Sequence, residues 1–505
     1  MNRRRFLRSF VGSSAALAFA PGLLRAEVAY SSDAARFASG LAQRPWLAGW
    51  KTVGTESLGP TAAAVQGRLP AGLAGALYRN GPAWFDRNGF RYKHWFDGDG
   101  MIHAWRIGGG AIEHRARMVA TPKFLREQRE GRFLLPAAGT TVPDRIPVRN
   151  NDDVNTANTA VIRLDGRLYA LWEGGSATEL EPDSLRTIGP VTWREDLVAA
   201  PFSAHPLIDR DGSLWNFGNI AQLGASGLLV WHIGADGKLL RTAMLASEAP
   251  GYIHGFAMSD RYLVFMLIPY RMPDEGGAYF ERLRYTPEQP CRVAVVAKDA
   301  LDAPRWFEVP FGAVYHFGQA HERGGELIVQ AVRHNDIEEM RSPMAGAMRG
   351  EPDPGLADTE LVALRIHLAS GRARWESSGL RELEFPLFDP RAPDGQPARL
   401  FAPTSVGAAS APYFNAVAAI DIDSGRRDVH RYGSQIMAEE HVFVPKPGGR
   451  KPGEGWLVGT LLDHGRGRSG IAVLDAERVA DGPLAQAWLP YTVPLGFHGW
   501  FARAG

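Results

Sequence analysis

Histidine is the residue type in this sequence with the greatest capacity for chemistry. Fourteen histidines are present. Four of them lie in apolar or aromatic surroundings at the start of strand-like runs: His205 in FSAHPLID, His254 in GYIHGFAM, His316 in VYHFGQAHE and His498 in GFHGWF. A neutral imidazole can ligate a metal or carry a proton, although any single buried histidine is more often structural. The remaining histidines occupy polar or alternating contexts.

Short catalytic motifs are absent from the sequence. It contains no HExxH, CxxC, P-loop or GxSxG pattern. The candidate histidines are instead scattered between His205 and His498. If they act together, the fold must bring distant segments to one point. A propeller does this, because the inner strands of all its blades surround one axis.

The strand pattern that could position these histidines recurs along the chain. Alternating apolar runs pair across DG or SG turns, a strong hairpin signal, in TAVIRLDGRLYALWE, FSAHPLIDRDGSLWNFG, GLLVWHIGADGKLLRTAML, VALRIHLASGRARWE and AVAAIDIDSGRRDVHRYG. No long stretch after residue 27 keeps a helical apolar period. Dividing the chain by four-stranded blades of roughly 40 to 70 residues gives about seven blades. We therefore predict an all-β propeller, with residues 27–505 as a single domain.

The composition bounds the partners. The 505 residues carry a formal net charge of +1, which gives no electrostatic reason to expect nucleic acid. The expected partner is a neutral molecule or one recognised by shape. The single cysteine, Cys291 in CRVAVV, cannot form an intramolecular disulfide, and we interpret it as a small buried hydrophobic residue.

Two segments interrupt the strand pattern. KFLREQREGRFLLPAAG predicts a short amphipathic helix with Phe124, Leu125, Phe133 and Leu134 facing something apolar. We consider peripheral membrane contact through this stretch. MRSPMAGAMRGEPDPGLADTE is a long loop in which Met340, Met344 and Met348 could line an adaptable apolar passage. A flexible surface insertion is the alternative.

The N-terminus has the composition of an export signal. Residues 1–26 combine the cationic head RRRFLR with a weakly apolar stretch and end at Ala26, a small residue near a plausible cleavage point. The head resembles the bacterial twin-arginine signal, whose pathway exports folded proteins. We therefore expect a periplasmic location; a basic amphipathic arm is the alternative.

An ordered set of motifs resembles the carotenoid cleavage oxygenase family, also described as the retinal pigment epithelial membrane protein family. The motifs span the whole mature chain: LYRNGP, HWFDGDGMIHAW, NTANT, LYALWEGG, SAHPLID, IHGFAMSDRY, YHFGQAHE, LEFPLFDPR, EEHVFVPKP and FHGWF. The resemblance implies a seven-bladed propeller with a dome of inter-blade loops over a central metal site. It also implies one non-haem Fe(II) per chain.

The resemblance assigns residues to the metal site by position. The implied ligands are His205, His254, His316 and His498, and the implied carboxylates that hold the imidazoles are Glu173, Glu384 and Glu440. The third ligand motif departs from the family pattern His-x-x-Asn-Ala-aromatic-Glu, because His321 occupies the aromatic position. His321 is therefore the alternative to His316.

HWFDGDGMIH offers a second metal hypothesis, since Asp97 and Asp99 are spaced as in a calcium loop. The stretch lacks the third acidic position and the terminal glutamate of such a loop. A structural turn between strands is the better interpretation.

The reaction implied by the resemblance is cleavage of a conjugated alkene by O2 into two carbonyl products. The family's stilbene-cleaving members carry a lysine before the first carboxylate, where this chain has Trp172. The motif LYALWEGG is instead similar to that of carotenoid and apocarotenoid cleavers. We expect an apolar substrate of that class, with a lignostilbene or phenylpropene as the alternative. An isomerase or a metal-free binding propeller is a further alternative, and the sequence says nothing of oligomeric state.

Overall fold

The molecule is built from antiparallel sheets arranged as the blades of a propeller. The computed structural model describes residues 27–220, 226–274, 276–355, 358–393, 396, 399–407 and 411–504, with side chains from residue 33 onward. Within these residues the chain forms seven sheets of four or more strands and one two-stranded ribbon. The predicted all-β, seven-bladed propeller is therefore confirmed. The predicted export signal, residues 1–26, lies outside the described residues.

The hairpins expected from the sequence form the blades. TAVIRLDGRLYALWE folds as β8 (Ala160–Leu164) paired with β9 (Arg167–Leu171). The turn places Asp165 at φ 49° and Gly166 at φ 74°, the left-handed pair that a two-residue hairpin turn requires. The other four expected hairpins also pair antiparallel.

Blades 1 to 3 follow one another along the chain, each with its first strand nearest the axis. Blade 1 contains β8, β9, β10 (Thr178–Leu180) and β11 (Thr187–Pro190). Blade 2 contains β12 (Leu207–Ile208), β13 (Leu214–Asn219), β14 (Gly227–Ile233) and β15 (Leu239–Ala246). Blade 3 contains β16 (Gly251–Tyr252), β17 (Ala257–Met258), β18 (Tyr262–Arg271), β19 (Arg284–Tyr285), β20 (Cys291–Ala297) and β21 (Arg305–Val309).

Blades 4 to 6 repeat the arrangement. Blade 4 contains β22 (Ala313–Arg323), β23 (Glu326–His334), β24 (Thr359–His367) and β25 (Arg372–Arg381). Blade 5 contains β26 (Leu387–Phe388), β27 (Leu400–Thr404), β28 (Ala416–Ile420) and β29 (Arg427–Arg431). Blade 6 contains β30 (Ile436–Pro445), β31 (Gly455–Asp463), β32 (Arg468–Asp475) and β33 (Pro483–Trp488). Neighbouring inner strands contact each other around the axis, as β22 does with β17 and β26.

Segments from both chain ends close the ring. Blade 7 contains the C-terminal β34 (Gly499–Arg503), followed outward by β3 (Gly75–Trp84), β6 (Asp99–Gly108), β7 (Ala111–Met118) and β1 (Ser57–Ala62). The next N-terminal strand, β2 (Ala64–Gly67), is instead the outer strand of blade 6. Because β34 pairs along β3, the chain end is fixed within a sheet and not frayed. The ribbon is formed by β4 (Asp86–Arg87) and β5 (Phe90–Arg91).

Apolar side chains fill the spaces between adjacent blades. In blade 6 every residue of the central β31 is buried, whereas in blade 4 the outer β25 is mostly exposed. One cluster joins Trp215 and Phe217 of blade 2 to Leu263 and Phe265 of blade 3. Cys291 is fully buried in blade 3, as expected. Central strands are therefore apolar on both faces, since each face meets a neighbouring sheet.

Two of the described helices precede the first strand, and the others lie in the connections between strands. The α-helices are α1 (Glu27–Gln43), α2 (Pro122–Glu130), α3 (Tyr279–Arg282), α4 (Ile337–Arg341) and α5 (Ala345–Met348). Short 3-10 helices occupy Pro45–Trp50, Trp95–Asp97, Asn151–Val154, Glu195–Leu197 and Val479–Asp481. Among the described helices none is both long and apolar enough to cross a bilayer.

The structure corrects the prediction for the stretch from Phe124 to Leu135. The helix forms as α2, with its N-terminus capped by Thr121. Its apolar side chains, however, face the protein: Phe124, Phe133 and Leu134 are buried, and of the four predicted contact residues Leu125 alone is exposed. Phe124 packs on blade 7 because its strands leave an apolar surface there. Phe124, Phe133 and Leu134 are therefore not available for membrane contact.

The methionine-rich loop also differs from both expectations. It folds into α4 and α5, and Met340, Met344 and Met348 are buried in the cores that surround the axis. The segment is neither a flexible insertion at these residues nor a methionine-lined passage. It acts as part of the packed dome.

Candidate metal centre

Four imidazoles converge at the centre of the propeller. One nitrogen from each of His205, His254, His316 and His498 lies within 4.8 Å of the other three. Nε2 of His205 is 2.8 Å from Nε2 of His254, and Nε2 of His316 is 3.2 Å from Nε2 of His498. The sequence-predicted ligands are thus brought together. His321, the alternative to His316, is not part of the cluster formed by the described residues.

Each imidazole comes from the start of an inner strand. His205 precedes β12, His254 precedes β17, His498 precedes β34, and His316 lies near the start of β22. These strands belong to four different blades. Since inner strands of a propeller surround one axis, side chains at their starts meet there despite their distance in sequence.

The inner strands are irregular where they carry the site. In β22 the register with β23 shifts between Val314 and Phe317, the interval that contains His316. In β30 the register with β31 shifts between Ala438 and His441, the interval that contains Glu440. A β-bulge of this kind turns a side chain out of the regular alternation. The bulges therefore direct these two residues to the axis.

Three of the four imidazoles hydrogen-bond to a carboxylate through Nδ1. His316 Nδ1 lies 2.5 Å from Glu384 Oε2, and His498 Nδ1 lies 2.9 Å from Glu440 Oε1. His254 Nδ1 bonds to Glu173 Oε1. Among the described residues no carboxylate is bonded to His205. All three predicted glutamates are thus found beside the imidazoles, one for each of three histidines.

Burial favours the neutral form of two of the imidazoles, those of His205 and His498. Removal from water, together with the neighbouring imidazoles, lowers the pKa of His498 to about 4, although Glu440 opposes this shift. The same causes hold the pKa of His205 well below its usual value. Burial alone would raise the pKa of Glu384, but His316 and His334 outweigh it and hold that pKa below its usual range. Neutral imidazoles beside ionised carboxylates are the protonation states that a metal site needs.

The donor chemistry fits a divalent transition metal. A carboxylate that accepts a hydrogen bond from Nδ1–H fixes the tautomer in which Nε2 presents a lone pair. His316 and His498 both have their Nδ1 atoms held in this way, so at their Nε2 separation of 3.2 Å two lone pairs face each other, which is unfavourable unless a cation lies between them. Imidazole nitrogens suit iron, zinc, copper and nickel. The four imidazoles could therefore hold such a metal ion.

Two further residues support the carboxylates, and sequence reasoning missed both. Arg79 of β3 is buried and contacts Glu440 at 3.3 Å and Glu439 at 3.4 Å. His334, the last residue of β23, lies with Nε2 2.7 Å from Glu384 Oε1. Arg79 had a visible signal, because a charged residue interrupts the apolar start of LYRNGP. His334 had none, because VRHND is typical of a polar strand end.

A large cavity leads to the centre. Its volume is about 830 Å³, and its wall includes His254, His316 and His498. The remaining wall is mainly apolar and aromatic, with Trp172, Phe385 and Phe497 among its residues. Val148 also lines it and is 42% exposed, so the cavity reaches the surface near this residue. The loop after β18 contributes Met272 and Phe280, as expected of a dome built from inter-blade loops.

The two aspartates of HWFDGDGMIH do not form a cation site. Asp99 is bonded to Arg87 and Lys123 at 3.0 and 2.8 Å. Asp97 accepts a hydrogen bond from the backbone of Gly139, and burial raises its pKa to about 7. One carboxylate is thus neutralised by cations and the other favours protonation. The interpretation as a structural turn agrees with this arrangement.

Comparison with known proteins defines the class. The family model described as retinal pigment epithelial membrane protein matches residues 50–503. The chain belongs to this family, and the predicted resemblance is confirmed.

Individual relatives cover nearly the whole chain. It is 29% identical over 463 residues to apocarotenoid-15,15'-oxygenase of Synechocystis sp., covering 87% of this chain and 92% of that protein. It is 28% identical over 474 residues to lignostilbene-alpha,beta-dioxygenase isozyme III of Sphingomonas paucimobilis, covering 87% and 93%. The structure of the cobalt-substituted Synechocystis apocarotenoid oxygenase superposes with a TM-score of 0.82 at 26% identity, covering 91% of this chain and 98% of that one.

Proposed function

We propose that this protein is a non-haem Fe(II) dioxygenase that cleaves a conjugated double bond of a carotenoid or apocarotenoid. The alkene and one O2 are converted into two carbonyl products, so that both oxygen atoms are accounted for. The observation that carries the proposal is the four-imidazole cluster at the wall of the 830 Å³ apolar cavity. Similarity to an apocarotenoid oxygenase over most of the chain supports it.

The donor set is compatible with iron. Four neutral imidazoles supply no negative charge, so a bound divalent cation would keep its charge and retain coordination positions for other ligands. When bound, Fe(II) supplies the one-electron chemistry that dioxygen activation requires. His205, His254, His316 and His498 would hold it, with Glu173, Glu384 and Glu440 fixing three of the imidazoles.

The remaining residues position the substrate and exclude water. The aromatic wall, including Phe385 and Phe497, removes an extended apolar chain from water and holds it beside the imidazoles. The ring centroid of Phe385 lies 5.0 Å from that of His316 and 5.3 Å from that of His498. This ring therefore limits the room next to the metal site. Selection of the cleaved bond then depends on how deeply the substrate enters.

The cavity wall bears on the choice of substrate. Among the described residues no lysine lines it, and Trp172 precedes Glu173. A long apolar polyene suits this wall better than a phenol bound by lysine. The alternative, a lignostilbene or phenylpropene, keeps one supporting observation, because tyrosines such as Tyr252 and Tyr279 also line the cavity. Burial raises the pKa of both, so their hydroxyls remain protonated donors.

The test is aerobic incubation of the Fe(II)-loaded protein with apocarotenals, carotenes and hydroxystilbenes, followed by identification of carbonyl products. We expect two carbonyl fragments per substrate from the polyene class. Cleavage of stilbenes alone would contradict the substrate choice. Conversion without O2 uptake would indicate an isomerase, and a purified protein without metal would favour a binding propeller. His367→Ala, an exchange in the outer part of blade 4, is the matched control for exchanges of the ligand histidines.

We also propose that the chain is exported to the periplasm in folded form. The support is the head RRRFLR, and the single buried cysteine is compatible with an oxidising compartment. The test is fractionation of cells that express the full chain with Arg4→Lys and Arg5→Lys together. We expect the exchange to retain the protein in the cytoplasm, and unchanged periplasmic recovery would contradict export by this route.

A further inference from the structure

His334 occupies an unusual place between the metal centre and the cavity. It ends β23 and lies opposite Ala313 of β22, three residues before the ligand His316. Its side chain is 9% exposed and lines the cavity. Its ring packs edge-on against Tyr315, with centroids 5.2 Å apart, and Tyr315 packs against His254. His334 is thus part of the wall beside the site.

The hydrogen bonds of Glu384 determine which nitrogen of His334 carries the proton. Glu384 Oε2 accepts from His316 Nδ1 and from the backbone of Phe385, and Oε1 faces His334 Nε2 at 2.7 Å. An ionised carboxylate can only accept. His334 must therefore donate from Nε2, and in the neutral ring Nδ1 is left with a lone pair.

That lone pair has no partner in the part of the chain that the structure describes. His334 Nδ1 is buried and makes no hydrogen bond to any described residue. A buried acceptor without a donor is costly, and most such groups in proteins are paired. The ring of His334 lines the cavity, so we assign the donor for Nδ1 to a molecule that enters the cavity.

We propose that His334 is a positioning residue for the metal centre, which holds Glu384 through Nε2 and accepts a hydrogen bond at Nδ1 from a hydroxyl group of the substrate. The second half rests on the proposed function and deepens it. Within the polyene class it assigns a hydroxylated substrate in preference to a hydrocarbon or a simple aldehyde. The first half concerns the protein alone: with Glu384 held at both oxygens, His316 keeps one orientation.

Two variants separate the two roles. In His334→Gln the amide nitrogen of glutamine can replace the Nε2 donor to Glu384, but nothing replaces the Nδ1 acceptor. In His334→Phe both are lost, while the ring and most of the volume remain. Thermal unfolding of both variants and of His367→Ala establishes that each is folded before it is compared.

The first measurement is titration of the metal-free protein with Co(II) without oxygen, followed by the cobalt absorption spectrum. We expect His334→Phe to bind cobalt about 10-fold more weakly with an altered spectrum, and His334→Gln to remain within about 3-fold of the wild type. Wild-type affinity and spectrum in His334→Phe would overturn the positioning role. If His334→Phe does not fold, His334→Leu takes its place. Weakened cobalt binding by His334→Leu supports the positioning role, and unchanged binding overturns it.

The second measurement compares kcat/KM for an apocarotenal with that for the same apocarotenal bearing a ring hydroxyl, and likewise stilbene with para-hydroxystilbene. We expect the wild type to favour the hydroxylated member of one pair by about 10-fold, and His334→Gln to lose that preference through KM. If the wild type and His334→Gln prefer the hydroxylated substrate to the same extent, the acceptor role is overturned, and ordered water satisfies Nδ1. Failure of the wild type to cleave either pair would instead contradict the proposed function, and the cobalt titration would still test the positioning role.

Discussion

Two of the clusters of buried ionisable side chains in the described residues use their hydrogen bonds in opposite ways. In the Lys123 cluster, which consists of Arg87, Tyr92, Asp99, Lys123 and Glu127, the ammonium group bonds to Tyr92, Asp99 and Glu127 at 2.8 to 3.1 Å. In the metal centre, three imidazoles bond outward to carboxylates and all four direct a nitrogen to one point. The first cluster is closed, whereas the second leaves coordination capacity unused.

The difference shows how burial of charge can be distinguished from a functional site. Burial alone would lower the pKa of Lys123, but Asp99 and Glu127 raise it well above its usual value, so each charge of the Lys123 cluster meets its opposite inside the protein. Burial instead holds the pKa values of His205 and His498 low, and no described protein group lies between the converging Nε2 atoms of the four imidazoles. A cluster whose charges are all paired inside the protein affects the free energy of folding. A cluster that leaves converging ligand atoms without a protein partner is able to bind a ligand. The predictions below test this division.

The largest effect is expected from removing a ligand. Deletion of the final ten residues, Gly496 to Gly505, removes His498 together with β34, and should abolish stoichiometric metal binding and activity. Metal content of the purified protein is the measurement. Since the deletion also removes the inner strand of blade 7, His498→Ala is needed beside it and should lose the metal while the fold remains. Stoichiometric iron in either protein would show that the C-terminus only packs.

The converse change is made in the Lys123 cluster. Lys123→Met leaves Asp99 without its ammonium partner in the interior, and we expect it to lower the free energy of unfolding by about 3 to 5 kcal/mol. Urea unfolding measures this, and metal content per folded chain should equal that of the wild type. Loss of metal from folded Lys123→Met would show that the two clusters are not independent.

A smaller effect is expected when a carboxylate beside the metal centre is made neutral. Glu384→Gln keeps the size of the side chain but weakens the acceptor of His316 Nδ1–H, so the affinity for Co(II) should fall by about 10- to 100-fold. Glu360→Gln is the matched control. Glu360 is a buried carboxylate like Glu384, but it lies in blade 4 and pairs with Arg333. Equal cobalt affinity in the two variants would contradict the role of Glu384.

These two clusters also mark what the sequence could reveal. The blades were predictable because their hairpins are local: the turn at Asp165 and Gly166 fixes the pairing of its neighbouring strands. The closure was not, because β1, β2 and β34 pair with strands far away in the chain. The N-terminal segment could equally have been assigned to one blade, and only the packed structure divides it between blades 6 and 7.

Within the metal centre the predictable part was residue identity. The apolar settings of the four histidines and the ordered motifs selected the four side chains that the fold brings together. Their partners beyond Glu173, Glu384 and Glu440 depend on the bulges in β22 and β30, which a sequence pattern of period two does not reveal. His334 and Arg79 therefore remained unassigned. Phe124, Phe133 and Leu134 were wrongly expected to be available for membrane contact, because an amphipathic pattern does not distinguish lipid from a neighbouring sheet.

The smallest effect concerns Asp97, two residues from the Asp99 of the closed cluster but without a cation partner. Burial raises its pKa to about 7, so the folded state holds a proton that the unfolded state releases near pH 4. The corresponding stability is fully present below the unfolded pKa and is lost as pH rises through about 7. Between about pH 6 and pH 8 the loss should be about 1 kcal/mol.

Asp97→Asn removes this titration and keeps an oxygen that accepts from the backbone of Gly139. Between about pH 6 and pH 8 the wild type should therefore lose about 1 kcal/mol more of its free energy of unfolding than Asp97→Asn does. Urea unfolding at both values is the measurement. Asp99→Asn is the control: it should be destabilised at both pH values alike, because Asp99 pairs with Lys123 and Arg87. A pH dependence in Asp97→Asn equal to that of the wild type would show that Asp97 is ionised throughout and finds its compensation elsewhere in the cavity wall.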